Sequence, residues 1–386
     1  MARIAPRFAR VESRRPARDA VGGLMSGLAV KNCWTLAEHA GHDSPDGLQH
    51  LLRKAKWDTV GVRDDLRRYV VERLGEVDAV FVVDETGDLK KGAHTVGVQR
   101  QYTGTAGRIE NAQVAVYLTY ASARGHALID RELYLPRVWA DHTDRREQAD
   151  VPAEVKFATK PALATEMITR TLDAGVTARW VAGDEVCGAD PKLRKTLEDR
   201  GIGYVLAVAC SHPVRTGVGK IRADELAASL PRKAWQRLSA GAGSKGPRWY
   251  DWAWISIEPE RADAQGQRWL LLRRNNTTGE LAYHRCWSPA PVPLRELVRV
   301  VGRRWTILAM LAYALLAVLA ATERAETPAP QGLIALTCNE IHRLFNTVTV
   351  EPIQDLRRRL HWSTWRRRHQ HRARTSHYQR REAIPA

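Results

Sequence analysis

Hydrophobic positions along this chain fall first into a helical rhythm and then into a strand rhythm. Between residues 30 and 75 the spacing predicts three helices. Thr35-Leu36-Ala37-Glu38 reads as a capping box, in which Thr35 and Glu38 satisfy each other's free backbone donors. Ser44-Pro45 opens a second helix, with Leu48, Leu51 and Leu52 as its apolar face and Arg53, Lys54 and Lys56 alongside. Val62, Leu66, Val70 and Leu74 recur four apart in a third, which Gly75 ends. Two short helices about a tight turn suit a helix-turn-helix that reads DNA, and equally an ordinary helical bundle.

The rhythm then changes. Ala79-Val80-Phe81-Val82-Val83 is a continuous apolar run with the length and β-branching of a fully buried strand, ending at Asp84-Glu85-Thr86-Gly87. Residues 112–121 and 126–135 predict two more strands about a turn at 123–125. A helix over 161–174 follows, then a short strand over 179–182 that runs into Gly183-Asp184-Glu185, a helix over 191–200 and a buried strand over 204–209. Antiparallel strands first and helix-linked strands later imply a mixed sheet covered by helices. Residues 211–287 are again β-like, and a helix is expected from Leu294 to Ile307.

Composition adds a charge argument. Lys and Arg number 60 against 43 Asp and Glu, a net charge of +17. Such an excess concentrates polyanions, of which nucleic acid is the commonest. The five cysteines are scattered without a CxxC pair, which argues against a disulfide framework or a zinc finger and fits a reducing cytoplasm. No signal segment is expected, because residues 1–20 carry six Arg and no apolar stretch. The apolar run Ile307–Ala321 is shorter than the roughly 20 residues of a membrane span, so a buried helix is expected and no membrane partner. From Arg357 to Arg381 there are ten Arg, four His and no acid, with Trp362, Trp365 and Tyr378 interleaved. Arg can neutralise phosphates and the aromatic rings can stack on bases, with a disordered basic tail without a partner as the alternative.

The chemistry these patterns suggest rests on two acids. Asp84 and Asp184 end the first and fourth strands, where a sheet presents side chains to a crevice. Carboxylates converging from separate strands make an oxygen-rich site suited to Mg²⁺ or Mn²⁺. Such a site can serve phosphoryl transfer without a covalent intermediate. Lys90, Lys91, Arg100 and Arg108 flank the first acid on a Gly/Thr-rich excursion, where they could hold a DNA backbone or simply form a solvated loop.

The strings RIAPRFARVE, FVVDETGDLKKG, VGVQRQYTGTAGRIENAQVAVYL, GHALIDRELYLP, FATKP, WVAGDEVCG and YVLAVAC resemble bacterial insertion-sequence transposases of the DDE type, in particular the insertion-sequence family numbered 701. The resemblance runs from about Arg3 to the C-terminal WRRRHQHRAR. It implies a ribonuclease H-like core of mixed sheet and flanking helices with a β-strand insertion, Asp84 and Asp184 as the first two catalytic acids, and Mg²⁺ or Mn²⁺ as cofactor. It implies double-stranded DNA, as element ends and target, as partner, and protomers that work in pairs, a homodimer. On this reading residues 1–76 form a helical DNA-binding region, 77–210 the core, 211–287 the β-rich insertion, 288–345 the C-terminal helices of the core and 346–386 a basic tail. DNA contacts are expected from Lys90, Lys91, Arg100, Arg108, Arg303, Arg304, Arg366, Arg367, Arg368, Arg372 and Arg374, in a bacterial cytoplasm.

The sequence departs from the family at the third acid. An Arg-Arg-Trp-x-Ile stretch in the family runs into a helix bearing a Glu. Here Arg303-Arg304-Trp305-Thr306-Ile307 is followed by Leu308 and an apolar run. The segment that holds the Glu is missing, which predicts a protein that binds DNA and transposes poorly or not at all. Glu296 and Glu340 are the candidate replacements. At about 1.5 Å per residue Glu296 lies roughly 18 Å from position 308, too far without remodelling. A non-catalytic DNA-binding remnant and, more weakly, an RNA-binding protein are the competing readings.

Overall fold

The computed structural model describes residues 1–217, 219–243, 246–258, 266–304, 318, 321–322, 341, 361–365, 367–368 and 372. The chain divides into two compact units, one of residues 1–68 with 311–386 and one of residues 69–310.

In the first unit, α1 (Arg14–Met25), α2 (Cys33–His39), α3 (Asp46–Arg53) and the start of α4 (Thr59–Leu74) pack around small apolar clusters. The cap of α2 differs from the expected one. Asn32 Oδ1 accepts from the Trp34 and Thr35 amides while Thr35 Oγ1 accepts from the Asn32 amide, so Thr35 is the inner member of the box and Glu38 is not in it. Asparagine caps at least as well as threonine, and it lies one turn earlier. Arg7 ties the N-terminal strand of chain to α4 by a two-point contact with Asp65, at 2.8 and 3.0 Å. Residues 361–365 are helical. Trp362 is 0% exposed among Leu36, Ala37 and Leu48, and its Nε1 donates to the His42 carbonyl at 3.1 Å. The expectation that Trp362 stacks on bases is therefore corrected: its ring is a core residue of the helical unit. Arg367, Arg368 and Arg372 are exposed, whereas Arg366, Arg374, most of the apolar run 307–321 and the rest of the tail lie outside the described residues.

The second unit is built on one large sheet. Its strands are β1 (Val80–Leu89), β2 (Gln99–Thr103), β3 (Arg108–Ala121), β4 (His126–Leu133), β5 (Trp180–Gly183), β6 (Gly203–Val208), β9 (Gln236–Gly243), β10 (Gly246–Ser256), β11 (Gln267–Arg274) and β12 (Leu281–Ser288), with β7 (Pro213–Thr216) and β8 (Gly219–Arg222) paired apart. The order is β2-β3-β1-β5-β6-β12-β11-β10-β9, with β4 on β3. β1 is antiparallel to β3 and parallel to β5, and β5 is parallel to β6. β12 then adds antiparallel to β6, so the strands of 211–287 continue the core sheet. Val80 to Val83 are at most 1% exposed, as a central strand covered on both faces requires.

Seven further helices are described: α5 (Arg137–Ala140), α6 (Thr143–Gln148), α7 (Lys160–Asp173), α8 (Glu185–Ala189), α9 (Pro191–Asp199), α10 (Ala223–Ala228) and α11 (Leu294–Gly302). α11 covers one face of the sheet. Its Leu294, Leu297, Val298 and Val301 recur at helical spacing and pack with Val80, Val82, Trp180, Ala182, Trp252 and Leu271. α9 lies on the other face, where Tyr204 donates to Glu198 at 2.8 Å. Arg170 of α7 makes a two-point contact with Asp130 of β4, which is 0% exposed.

Candidate functional site: an acid pair in an alanine-floored cleft

The sheet register sets the two aspartates side by side. Val80, Phe81 and Val82 stand opposite Trp180, Val181 and Ala182, an offset that carried forward brings position 84 level with position 184. Adjacent strands are ~4.8 Å apart, and alternate residues share a face. Asp84 thus continues the row Val80–Val82, and Asp184 the row Trp180–Ala182, on the face that α11 covers. One detail differs from expectation. Asp84 does not end its strand, because β3 goes on pairing with β1 as far as Leu89. What ends there is the parallel contact to β5, and the crevice opens where the two strands part.

Local chemistry holds both carboxylates. Asp84 Oδ1 accepts from the Glu85 amide at 2.9 Å, and its Oδ2 has no hydrogen bond among the described residues. Asp184 caps α8, its Oδ1 accepting from the Cys187 amide at 3.0 Å. Gly188 lets α8 lie against β6, since a Cβ there would meet the Ala207 carbonyl oxygen at 1.8 Å. Burial, and secondarily the neighbouring Asp184 charge, raises the Asp84 pKa, while the Glu85 amide and Arg304 oppose that rise. The Cys187 thiol is buried and pushed well up by that burial and by Asp184, so it is an inert structural group. Lys160, at the start of α7, pairs with Glu85 at 2.5 Å.

Both acids line an open cleft of about 820 Å³, together with Arg304, Arg273, His284, Tyr102 and Glu185. Burial first, then Arg304 and Arg273, push the His284 pKa down to about 3, which leaves the imidazole neutral. The Arg304 guanidinium has no hydrogen bond or ion pair among the described residues, and it acts electrostatically on Asp84, Cys187 and His284. A carboxylate pair that is partly desolvated and mutually repelling, with an oxygen to spare on Asp84, fits a Mg²⁺ or Mn²⁺ ion that keeps several of its waters. No group of three His, Cys, Asp or Glu suited to a metal exists among the described residues.

The other expected residues are dispersed. Lys90 and Lys91 lie at the far end of β1, about 20 Å along the strand from Asp84, and Lys90 pairs with Asp88. Arg100 is exposed on β2, and Arg108 pairs with Glu110 at 2.7 Å. None of the four lines the cleft. Arg303 sits beside Arg299 and Glu76 instead of the acids. Glu296 is engaged elsewhere: it accepts from Trp180 Nε1 at 2.9 Å and from Arg299 at 2.7 and 3.0 Å. Trp180 opens β5 and Asp184 follows its end, about 13 Å away, so Glu296 does not reach the acid pair. Glu340 and the stretch from Trp305 to Leu308 lie outside the described residues. His284 and Arg273 escaped the sequence reading, although the alternation of Ala282, His284 and Cys286 in one strand was a usable signal that His284 faces inward.

The sequence β4-β3-β1-β5-β6 across the sheet, antiparallel then parallel, with helices on both faces and acids where the parallel strands part, defines a ribonuclease H-like α/β protein. The family model described as DDE superfamily endonuclease matches residues 3–239, and the chain belongs to that family. It is 30% identical over 195 residues to the "Probable transposase for insertion sequence element IS701" of Microchaete diplosiphon, a match covering 50% of this chain and 48% of that protein. The chain thus spans about half the length of that curated relative. Among solved structures it is similar to the NurA nuclease from Sulfolobus solfataricus, with 8% identity, a TM-score of 0.28, and coverage of 69% of this chain and 90% of that one. A likeness that weak adds nothing to the fold assignment. No helix among the described residues is long and apolar enough to cross a membrane.

Proposed function

We propose that this chain is a DNA-binding protein of the transposase type, built to cut and join DNA strands with Mg²⁺ or Mn²⁺ and short of one acid for doing so. One observation carries the reading: Asp84 and Asp184 stand level on neighbouring strands in one cleft, facing the half-buried Arg304. Asp84 and Asp184 would hold the metal, which when bound activates a water or 3′-hydroxyl and stabilises the leaving oxygen. The residues around them orient the substrate. Arg304 offers a guanidinium to a backbone phosphate, and Lys160 offsets the charge of Glu85, which lines the same cleft. The net charge of +17 supplies the long-range attraction to double-stranded DNA. Exposed Arg367, Arg368 and Arg372 add to it, as do Lys90, Lys91, Arg100 and Arg108 at the far end of the sheet.

A specific observation favours the second reading, a non-catalytic DNA-binding remnant or regulator of a related element. After Glu296, which Trp180 and Arg299 hold, the sequence has no Asp or Glu until Glu323. Loss of one ligand from a shared site removes charge, geometry and affinity together. The test uses labelled duplex carrying the DNA that flanks the gene on either side, incubated with the protein and Mg²⁺ or Mn²⁺. Retention in a gel shift with little or no nicking is the expected outcome. End-specific nicking lost in Asp84→Asn and Asp184→Asn would establish a working enzyme and overturn the deficit. Absence of DNA binding would overturn the whole reading.

A further inference from the structure

The cleft has two walls and a floor of unusual composition. Gly183 stands opposite Leu206, which carried one step forward puts Asp184 level with Ala207, and Ala207 stands opposite His284. The row across four strands therefore reads Asp84, Asp184, Ala207, His284, all on the face that α11 covers. The next row on that face holds Ala209, Ala282 and Arg273, since Ala282 pairs with Arg273 and Tyr283 with Val208. Ala207, Ala209 and Ala282 all line the cleft. Three methyl side chains thus leave a trough about two strand spacings, or ~10 Å, across. Asp84 and Asp184 form one side, and the other carries His284 and Arg273, whose guanidinium sits 4.8 Å from the Tyr250 ring centroid, with Glu280 two residues before Ala282 in the same lining. Arg304 stands near both sides.

We propose that this alanine-floored trough is the track for a single DNA strand, with Arg273 and Arg304 holding the phosphates that flank the phosphodiester presented to Asp84 and Asp184. The inference rests on the proposed function and deepens it, because it makes β11 and β12 part of the substrate site. The asymmetry of the walls supports it. A guanidinium takes a phosphate through two parallel N–H donors, and a ring stacked on Arg273 pre-orders that fork. Acids opposite repel the same phosphates unless a cation intervenes, which keeps the strand toward the arginine side. Bulky residues at positions 207, 209 and 282 would fill this space, and a nucleic-acid backbone needs it open.

Cys210 supplies a built-in reporter, being exposed, unpaired and in the lining of the same cleft. The full chain is treated with a thiol-alkylating reagent, with and without a saturating thymidine oligonucleotide, and modification of Cys210 is read by peptide mass spectrometry. Bound strand is expected to slow Cys210 alkylation at least about tenfold. Arg273→Gln should weaken oligonucleotide binding about tenfold, the cost of one charged hydrogen-bonding group. Ala209→Leu, at an exposed position, should remove the protection without changing the charge. Continued protection of the buried Cys187 thiol from alkylation without DNA reports that both variants are folded. Oligonucleotide binding that leaves Cys210 fully reactive would overturn the trough, as would tight binding by both variants or no binding by the parent. The acids are tested separately: Asp84→Asn should keep the Cys210 protection, so a failure to cut DNA is not mistaken for a failure of the track.

Discussion

Replacing Asp84 by asparagine should make the metal-free protein more stable. Two carboxylate charges about one strand spacing apart, ~5 Å, repel by roughly 3 kcal/mol at an effective dielectric near 20. Arg304 and the open side of the cleft reduce this, so a net gain of about 1 kcal/mol is expected for the variant in chelator. In a compact unit spanning residues 69–310 that corresponds to a rise of about 2–4 °C in melting temperature. The pH dependence fixes the cause. Burial raises the Asp84 pKa in the folded chain, so the folded state binds the proton more tightly than the unfolded one. The parent therefore loses stability as pH climbs from the unfolded carboxyl value, about 3.9, through the higher folded value, and the penalty is full above it. The asparagine variant should match the parent at the acid end and exceed it at neutral pH. Added Mg²⁺ should close the gap by stabilising the parent more. Thermal denaturation followed by circular dichroism across pH in EDTA measures this. A variant no more stable than the parent at pH 7, or one whose advantage is independent of pH, would refute the picture of a repelling, desolvated pair.

Three further outcomes are expected. Trp362→Ala should destabilise the helical unit by about 3–5 kcal/mol, as loss of a fully buried Trp does, and expose α2 and α3 to limited proteolysis. Arg170→Met should cost about 3 kcal/mol by removing the two-point partner of the fully buried Asp130, read as a shift in the urea midpoint. Cys210 should react with a maleimide in the native protein at least an order of magnitude faster than Cys187, whose thiol is buried and raised in pKa; comparable rates by peptide mapping would contradict that placement.

Periodicity by itself determined a good deal of this protein. The run Ala79–Val83, the helix ending at Gly175 and the strand before Gly183-Asp184 were legible because a buried central strand must be apolar on both faces and a packed helix must repeat near 3.6. One aspartate after a strand is commonly a turn or helix cap, as Asp184 also is here; the pair was legible as a candidate because two of them follow apolar strand runs in this order. Other features required the fold. Asp84 and Asp184 are 100 positions apart in the sequence, and only the parallel register of β1 and β5 makes them neighbours. The packing of α11 on the sheet set Glu296 at the opposite end of β5, where Trp180 and Arg299 hold it. Trp362 has the composition of a base-stacking residue, yet its side chain closes the core of the helical unit. The inward face of His284 was legible in the alternation of its strand, but the three alanines carry no local signal, since a small residue in a strand looks the same over a core as over a trough. Local spacing specifies which face a side chain takes; which elements meet on that face depends on pairing across long stretches of chain, and there this site is assembled.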